Sequence, residues 1–365
     1  MKKMNVEVNS DTWMFELEVS VWGKRAILVV GLIENCLAVL LEKLEKTKHN
    51  IECLKRCFKR EIVRAVGGCT QRSFAFSDDD GCVFIVMPRM IPTCASDIAD
   101  LAHECLHAAD FMLKEEGVKD NQETCEVLAY TQAFILSKLL DAVAKSEVNR
   151  CAVAESKKPD SAGSKDEPVS RGETELSVQQ NDIAEECGVE VFVLKQVDVW
   201  GSPVFLVVGP NERCADIVLK ALPKDYAYAD FLKKEFEDEV NPLMKNARSC
   251  GLQFCDDAGN VFMWMPSLDV SLASNTGILV HECLHAANTI LRNVGVVDDQ
   301  ESKEVLAHTQ QHILYEFLKM WTERTTKKLS ADKRGGRSKG VCPKDEQGSL
   351  VAQPTPAKEE LGNVA

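Results

Sequence analysis

The sequence predicts an α+β fold that is built twice along one chain. The heptad HECLHAA occurs at residues 103–109 and again at residues 281–287, 178 positions later. In each copy, short strand-like segments come first and two long helical segments come last, an order typical of helices packed on one face of a small sheet. At 365 residues the chain is long enough for two such domains, each with a core of its own.

One unchanged offset relates the two copies over most of their length. VWGKRAILVVG at residue 21 matches VWGSPVFLVVG at residue 199, and His103–Gln132 shares 19 of 30 aligned positions with His281–Gln310. A constant offset with this identity indicates a tandem duplication. We assign residues 5–145 to the first domain and 189–325 to the second.

The segments between and after the domains differ from them in composition. Residues 146–188 and 326–365 contain no Phe, Trp or Tyr. Both are expected to be disordered, because they offer too little apolar surface to form a core. We interpret the basic stretch 327–344 as a solvated tail rather than a nucleic-acid site, since the whole chain carries a net charge of -14.

Each copy contains the signals of a hairpin, a helical region, a second hairpin and then two helices. The helical region is interrupted around KTKHN in the first copy and near Pro223 in the second. In the first copy, Gly23 separates two strand-like runs, and Asp80-Gly81 precedes the apolar strand CVFIVMP. Helices are predicted at about 95–116 and 121–143, with Gly117 between them. The second copy repeats this order.

Composition excludes several classes of protein. The acidic net charge argues against nucleic acid and anionic membranes as partners. The sequence has no apolar run near the roughly 20 residues that a membrane helix needs, and its first residues lack the apolar core of a signal peptide. The 15 cysteines include no CxxC pair, so we expect reduced thiols and a cytoplasmic protein.

The repeated heptad has the pattern of a zinc site. On a helix, residues four apart share a face, so His103 and His107 are placed to bind one metal ion, as are His281 and His285. Glu104, next to the first histidine, is placed to hold a metal-bound water. Glu282 has the same position in the second copy.

A catalytic zinc ion needs a third protein ligand. Glu126 follows His107 after 18 intervening residues, and Glu304 follows His285 at the same spacing. The glycine between the two helices allows the second helix to return its glutamate to the metal of its own copy. Two further repeated carboxylates, Glu123 and Glu301, remain alternative ligands.

The full pattern HExxH-x18-E resembles the gluzincins, a group of zinc metallopeptidases. HECLHAADFMLKEEGVKDNQETCEVLAY is particularly similar to compact zincin-like domains of phage and prophage proteins. The resemblance covers the last third of each copy. Its spacing favours Glu126 and Glu304 over the alternative carboxylates.

That resemblance implies a mechanism, a substrate class and a cofactor. It implies two zinc ions per chain and hydrolysis of peptide or amide bonds, with Glu104 and Glu282 as general bases. It also implies a protein or peptide substrate that adds as a strand to a sheet edge, for which CVFIVMP and NVFMWMP are the candidates. If the chain is phage-encoded, its setting is the host cytoplasm.

One position departs from the gluzincin pattern. Four residues after the ligand glutamate, where thermolysin-like members carry an aspartate, this chain has Tyr130 in one copy and His308 in the other. Tyr130 is interpreted either as a donor to a developing oxyanion or as a half-buried core residue. His308 is interpreted as a residue behind a metal ligand, and His312 as a surface residue.

Two other pairs lie beside the ligands. Asp110 and Asn288 lie three residues after the second histidine, where each either orients an imidazole or is simply exposed. Cys105 and Cys283 are interpreted as core residues.

Two alternatives to a peptidase stay open at this stage, as does a mixed case in which one copy is catalytic and the other regulatory. The domains are also compatible with non-catalytic, zinc-stabilised modules that bind another protein. They are compatible as well with a repeated amphipathic helix that binds no metal. In each case the two copies are candidates to pack as an intramolecular pseudo-dimer.

Overall fold

The computed structural model describes most of both copies. The described residues are 12–19, 22–43, 48–66, 73–78, 81–119, 124–156, 192–209, 214–222, 226–240, 251–296 and 302–335. They form a mixed α/β protein with two four-stranded sheets and, in this part of the chain, eight α-helices.

The first copy supplies one sheet and four helices. Its elements are β1 (Trp13–Val19), β2 (Lys24–Val30), α1 (Ile33–Lys43), α2 (Lys48–Val66), β3 (Phe74–Ser77), β4 (Cys82–Met87), α3 (Ala95–Glu115) and α4 (Cys125–Ser156). The strand order is β1-β2-β4-β3, with β2 and β4 parallel and both outer pairs antiparallel.

The second copy repeats this plan in the same strand order. Its elements are β5 (Phe192–Val199), β6 (Ser202–Val208), α5 (Cys214–Ala221), α6 (Ala229–Glu235), β7 (Leu252–Cys255), β8 (Val261–Met265), α7 (Ala273–Asn293) and α8 (Lys303–Gly335). A π-helical turn, Phe236–Val240, extends α6.

Both predicted hairpins of the first copy are confirmed. Gly23 has a φ of 62° and turns the chain between β1 and β2, a conformation that glycine adopts without strain. Gly81, with a φ of 75°, leads into β4, and the Asp78 side chain accepts a hydrogen bond from the Cys82 amide at 2.9 Å. Asp80 lies outside the described residues.

The expectation that helices cover only one face of the sheet is wrong. Successive residues of β4 alternate between two cores: Val83, Ile85 and Met87 face α3 and α4, whereas Phe84 and Val86 face α1 and α2. The two central strands are parallel and largely apolar, and strands of this kind need cover on both faces. Each copy therefore has a helix–sheet–helix arrangement.

The candidate substrate-binding edge is also corrected. The predicted strands CVFIVMP and NVFMWMP are β4 and β8, which lie at the centre of their sheets. Their ladders are filled on both sides, so neither can add a substrate strand. In the described part of each sheet, the outer strand beside them is β3 or β7.

The last helix of each copy extends beyond its predicted end. Helix α4 continues to Ser156, into the segment assigned to the linker, and α8 continues to Gly335, into the assigned tail. Residues 157–188 and 336–365, which include part of the basic stretch, lie outside the described residues. The part of α8 after Thr322 belongs to a second unit of the chain.

One apolar core runs through both copies. It joins α3 and α4 to α7 and α8 and includes one face of each sheet. At its centre Gln132 and Gln310 are fully buried and donate to each other's side-chain oxygens at 2.8 and 2.9 Å. Gly277 of α7 lies so close to α4 that an added Cβ would be 3.1 Å from the Ala133 carbonyl oxygen.

Part of helix α4 has the length and composition of a membrane-spanning segment. Within the described residues, Cys125–Ser146 is long and apolar enough to span a membrane, but more than half of it is buried in the protein, as in the core helix of a soluble protein. No disulfide joins any two of the ten cysteines whose side chains are described.

Candidate metal centres

The HExxH helices place their histidines as the spacing predicts. His103 and His107 lie one turn apart on α3 with their Nε2 atoms 3.1 Å from each other, and His281 and His285 on α7 are 3.0 Å apart. In the tautomers with both protons on Nδ1, the two Nε2 lone pairs face each other across this gap and suit a cation between them.

The third ligand of the first histidine pair comes from the other copy. Oε1 of Glu304, in α8, lies 3.6 Å from His103 Nε2, and Oε2 of the same carboxylate lies 3.2 Å from His107 Nε2. We call these three residues centre A. The expectation that α4 returns its own glutamate to this site is wrong, because Glu126, in the first turn of α4, lies against the histidines of α7 in the second copy.

The second histidine pair is completed in the reciprocal way. Oε2 of Glu126, in α4, lies 3.4 Å from His281 Nε2, and Oε1 of the same carboxylate lies 3.0 Å from His285 Nε2. We call His281, His285 and Glu126 centre B. The six ligands named from the sequence are thus all brought together, with each glutamate exchanged between copies. The alternatives Glu123 and Glu301 lie outside the described residues.

The spacing of the ligand atoms fits a tetrahedral zinc ion. Bonds of about 2.0–2.1 Å at tetrahedral angles place ligand atoms about 3.3 Å apart. The corresponding distances are 3.1–3.6 Å at centre A and 3.0–3.4 Å at centre B. Two imidazoles and a carboxylate are also the donor types that zinc accepts, so the residues present fit this metal.

Histidine burial and the carboxylates set the charge of the centres. Burial lowers the pKa of His281 to about 4, which keeps this imidazole neutral and able to bind a metal at neutral pH. The facing His103 side chain lowers the pKa of Glu304 to about 2, so this carboxylate is ionised. Both are the protonation states that coordination requires. Against the effect of burial, the hydrogen bond to Glu304 raises the pKa of His103, so this imidazole must give up its proton when it binds a metal.

The two predicted general bases are buried beside the centres. Burial raises the pKa of Glu104 to about 7 and that of Glu282 to about 8. Ser73 hydrogen-bonds Glu104 and partly offsets the burial. The equivalent residue in the second copy is Gly251, where an added Cβ would lie only 2.5 Å from Glu282 Cγ. A carboxyl with a pKa near neutrality suits proton transfer.

Tyr130 and His308, which depart from the gluzincin pattern, each lie against the first histidine of one centre. The Tyr130 ring is 4.4 Å from the His281 ring, and the His308 ring is 4.6 Å from the His103 ring. Tyr130 is 67% exposed, so its interpretation as a half-buried core residue is wrong. His312 is exposed, as expected.

A large cleft opens at centre B. Its volume is about 950 Å³, and its walls come from α4, α7 and the edge strand β7. Trp22 of the first copy also lines it and donates from Nε1 to Thr131 at 3.3 Å. Glu282 and all three ligands of centre B face this cleft.

The remaining predicted residues have structural contacts. Asp110 accepts a hydrogen bond from Lys114 at 2.6 Å. Asn288 donates to the Cys125 sulfur at 2.9 Å, and that sulfur is 3.9 Å from His285 Nδ1, so Asn288 reaches the imidazole through the thiol. Cys105 and Cys283 are fully buried in the core.

No protein family, no curated protein and no solved structure matches this chain. Function therefore has to be inferred from the residues of the two centres themselves.

Sequence reasoning missed two features that the repeat contained. The buried pair Gln132 and Gln310 recurs at the offset of 178, but a recurrent glutamine gives no signal of its partner. Ser73 and Gly251 differ between the copies, and only their positions beside the general bases show what the difference affects.

Proposed function

We propose that this protein is a zinc-dependent hydrolase that cleaves peptide or related amide bonds. The observation behind the proposal is centre B, where two histidines of an HExxH helix and a glutamate of the other copy form a set that could hold a metal ion, beside a buried carboxyl group. At centre A, His103, His107 and Glu304 make the equivalent contacts.

When bound, zinc supplies a Lewis acid that polarises a carbonyl and lowers the pKa of water. At centre B, Glu282 accepts the proton of the attacking water and passes it to the leaving amine. Tyr130 is exposed above His281, where its hydroxyl is available to donate to a developing oxyanion.

The cleft supports a peptide as the substrate class. Leu252 and Gln253 of β7 line it, and β7 has a neighbouring strand on one side only in the described sheet. An extended peptide can hydrogen-bond to such an edge while its side chains enter the adjoining cleft. This assignment replaces β4 and β8 as the proposed binding edge.

The test combines zinc content with hydrolysis of a peptide library. The full chain should bind about two zinc ions and hydrolyse peptides, and the double variant E104Q/E282Q should keep the zinc but lose turnover. Absence of zinc in protein purified without chelators would overturn the proposal. If zinc is bound but the double variant behaves as the parent does, the protein is a zinc-stabilised binding module instead.

A further inference from the structure

The two centres differ at one position next to the metal ligands. Tyr130 and His308 are equivalent in the repeat, and each lies over the first histidine of the opposite copy. At centre A, His308 Nε2 is 3.1 Å from Glu304 Oε1, which is a normal spacing for two ligands of one ion. His103, Glu304 and His308 form a set of three whose ligand atoms lie within 4.8 Å of one another, and His107 joins the same centre through its contacts with His103 and Glu304 rather than as a member of that set.

A chain of hydrogen bonds fixes the orientation of His308. The Gln311 amide nitrogen donates to Asp100 Oδ1, which leaves the amide oxygen of Gln311 to face His308 Nδ1 at 3.1 Å. Because this oxygen only accepts, Nδ1 must carry the proton. In the neutral imidazole Nε2 is then the unprotonated nitrogen, and it faces Glu304 Oε1 at 3.1 Å, the orientation that a metal ion between the two atoms requires.

Centre B lacks every member of this chain. The residues equivalent to Asp100, Gln311 and His308 are Ile278, Ala133 and Tyr130. All three line the open cleft at centre B. The polar groups that orient a fourth ligand at one centre are thus replaced, at the other, by the walls of a substrate-sized space.

We infer that His308 is a fourth protein ligand of centre A, which is closed and structural, and that centre B alone keeps a free position for hydrolysis. This inference rests on the proposed function for its second half. Of the two centres, centre B alone would then act on a substrate whose side chain enters the apolar cleft beside it.

The experiment isolates each centre by removing the other's glutamate. E126A should retain zinc at centre A and E304A should retain it at centre B. Zinc release to a chromophoric chelator should be at least about tenfold slower from E126A than from E304A. Adding H308Y to E126A should abolish the difference. Adding Y130F to E304A, a matched control, should leave release unchanged. His308 is 60% exposed, so its replacement should not disturb folding.

A second measurement reads the free coordination position directly. With cobalt in place of zinc, acetohydroxamate should shift the visible absorption of E304A and leave that of E126A unchanged until H308Y is added. Equal shifts in E126A and E304A, or equal release rates, would overturn the inference while leaving zinc-dependent hydrolysis intact. Unequal centres without hydrolysis by any variant would instead overturn the proposed function and leave the closed centre standing.

Discussion

Gln132 and Gln310 bind each other across the junction of the two copies. Each side-chain amide also donates to a carbonyl of the neighbouring HExxH helix, Gln132 to Ala102 at 2.8 Å and Gln310 to Val280 at 2.9 Å. The pair therefore ties the helix that carries a glutamate to the helices that carry the histidines. The two residues are equivalent in the repeat and contact each other reciprocally. They therefore lie on the local pseudo-twofold axis that relates the two copies.

The first prediction concerns this pair. Q132M leaves the Gln310 oxygen buried without its donor and should lower the free energy of unfolding by about 1–3 kcal/mol. Q310M should have a similar effect. The double variant should lose clearly less than the sum of the two, because both polar groups are removed together. Urea unfolding of the three variants measures this coupling, and strictly additive losses would show that the two amides do not depend on each other.

The second prediction tests the exchange of ligands between copies. E126A and H281A should each reduce zinc to about one ion per chain, and the double variant E126A/H281A should also keep one, because both residues belong to centre B. E126A/H103A should keep none. If each glutamate served its own copy, these two results would be interchanged. Metal analysis by mass spectrometry after dialysis distinguishes the two outcomes.

The third prediction concerns the space beside Glu282. A methyl group at Gly251 would lie 2.7 Å from Glu282 Oε1 and must displace this carboxyl. G251A should therefore lower peptide hydrolysis by about tenfold to a hundredfold while zinc content stays unchanged. S73A changes the equivalent position in the first copy and is the matched control. It should leave hydrolysis unaffected, and a similar loss in both variants would contradict a single active centre.

The fourth prediction follows from the raised pKa of Glu282 in the metal-free protein. Burial raises this pKa from its ordinary 4.5 to about 8, so the folded chain holds a proton that the unfolded chain has lost between these values. Stability from this group is present at low pH and falls as pH rises from 4.5 to 8.

The neutral variant E282Q removes that dependence. Urea midpoints of metal-free parent and variant should diverge as pH rises from 5.5 to 8, with the parent losing stability relative to E282Q. Parallel curves over this range would show that Glu282 does not hold the proton.

Local features of the sites were predictable because they depend on the chain over short distances. The spacing of His103 and His107 fixes two imidazoles on one face of a helix, whatever surrounds it. The same holds for the hairpin at Gly23, whose turn needs a positive φ. The duplication was visible because 178 residues separate every matched segment.

Only the tertiary structure decided which residues meet across the copies. The sequence offers two nearly identical HExxH helices as partners for α4, and a spacing of 18 residues between His107 and Glu126 cannot choose between them. The choice falls to packing: the close approach at Gly277 and the buried Gln132–Gln310 pair place α4 against α7.

The sequence by itself determined that this protein has two HExxH helices and two glutamates at matching positions. Folding determined that each glutamate serves the other copy, and that His308, oriented through Gln311, stands at one centre while a cleft opens at the other. The physical reason is range: φ preferences and the hydrogen bonds within a helix act between near neighbours in the chain, whereas burial of apolar surface and of the Gln132–Gln310 pair selects among all helices of the molecule at once.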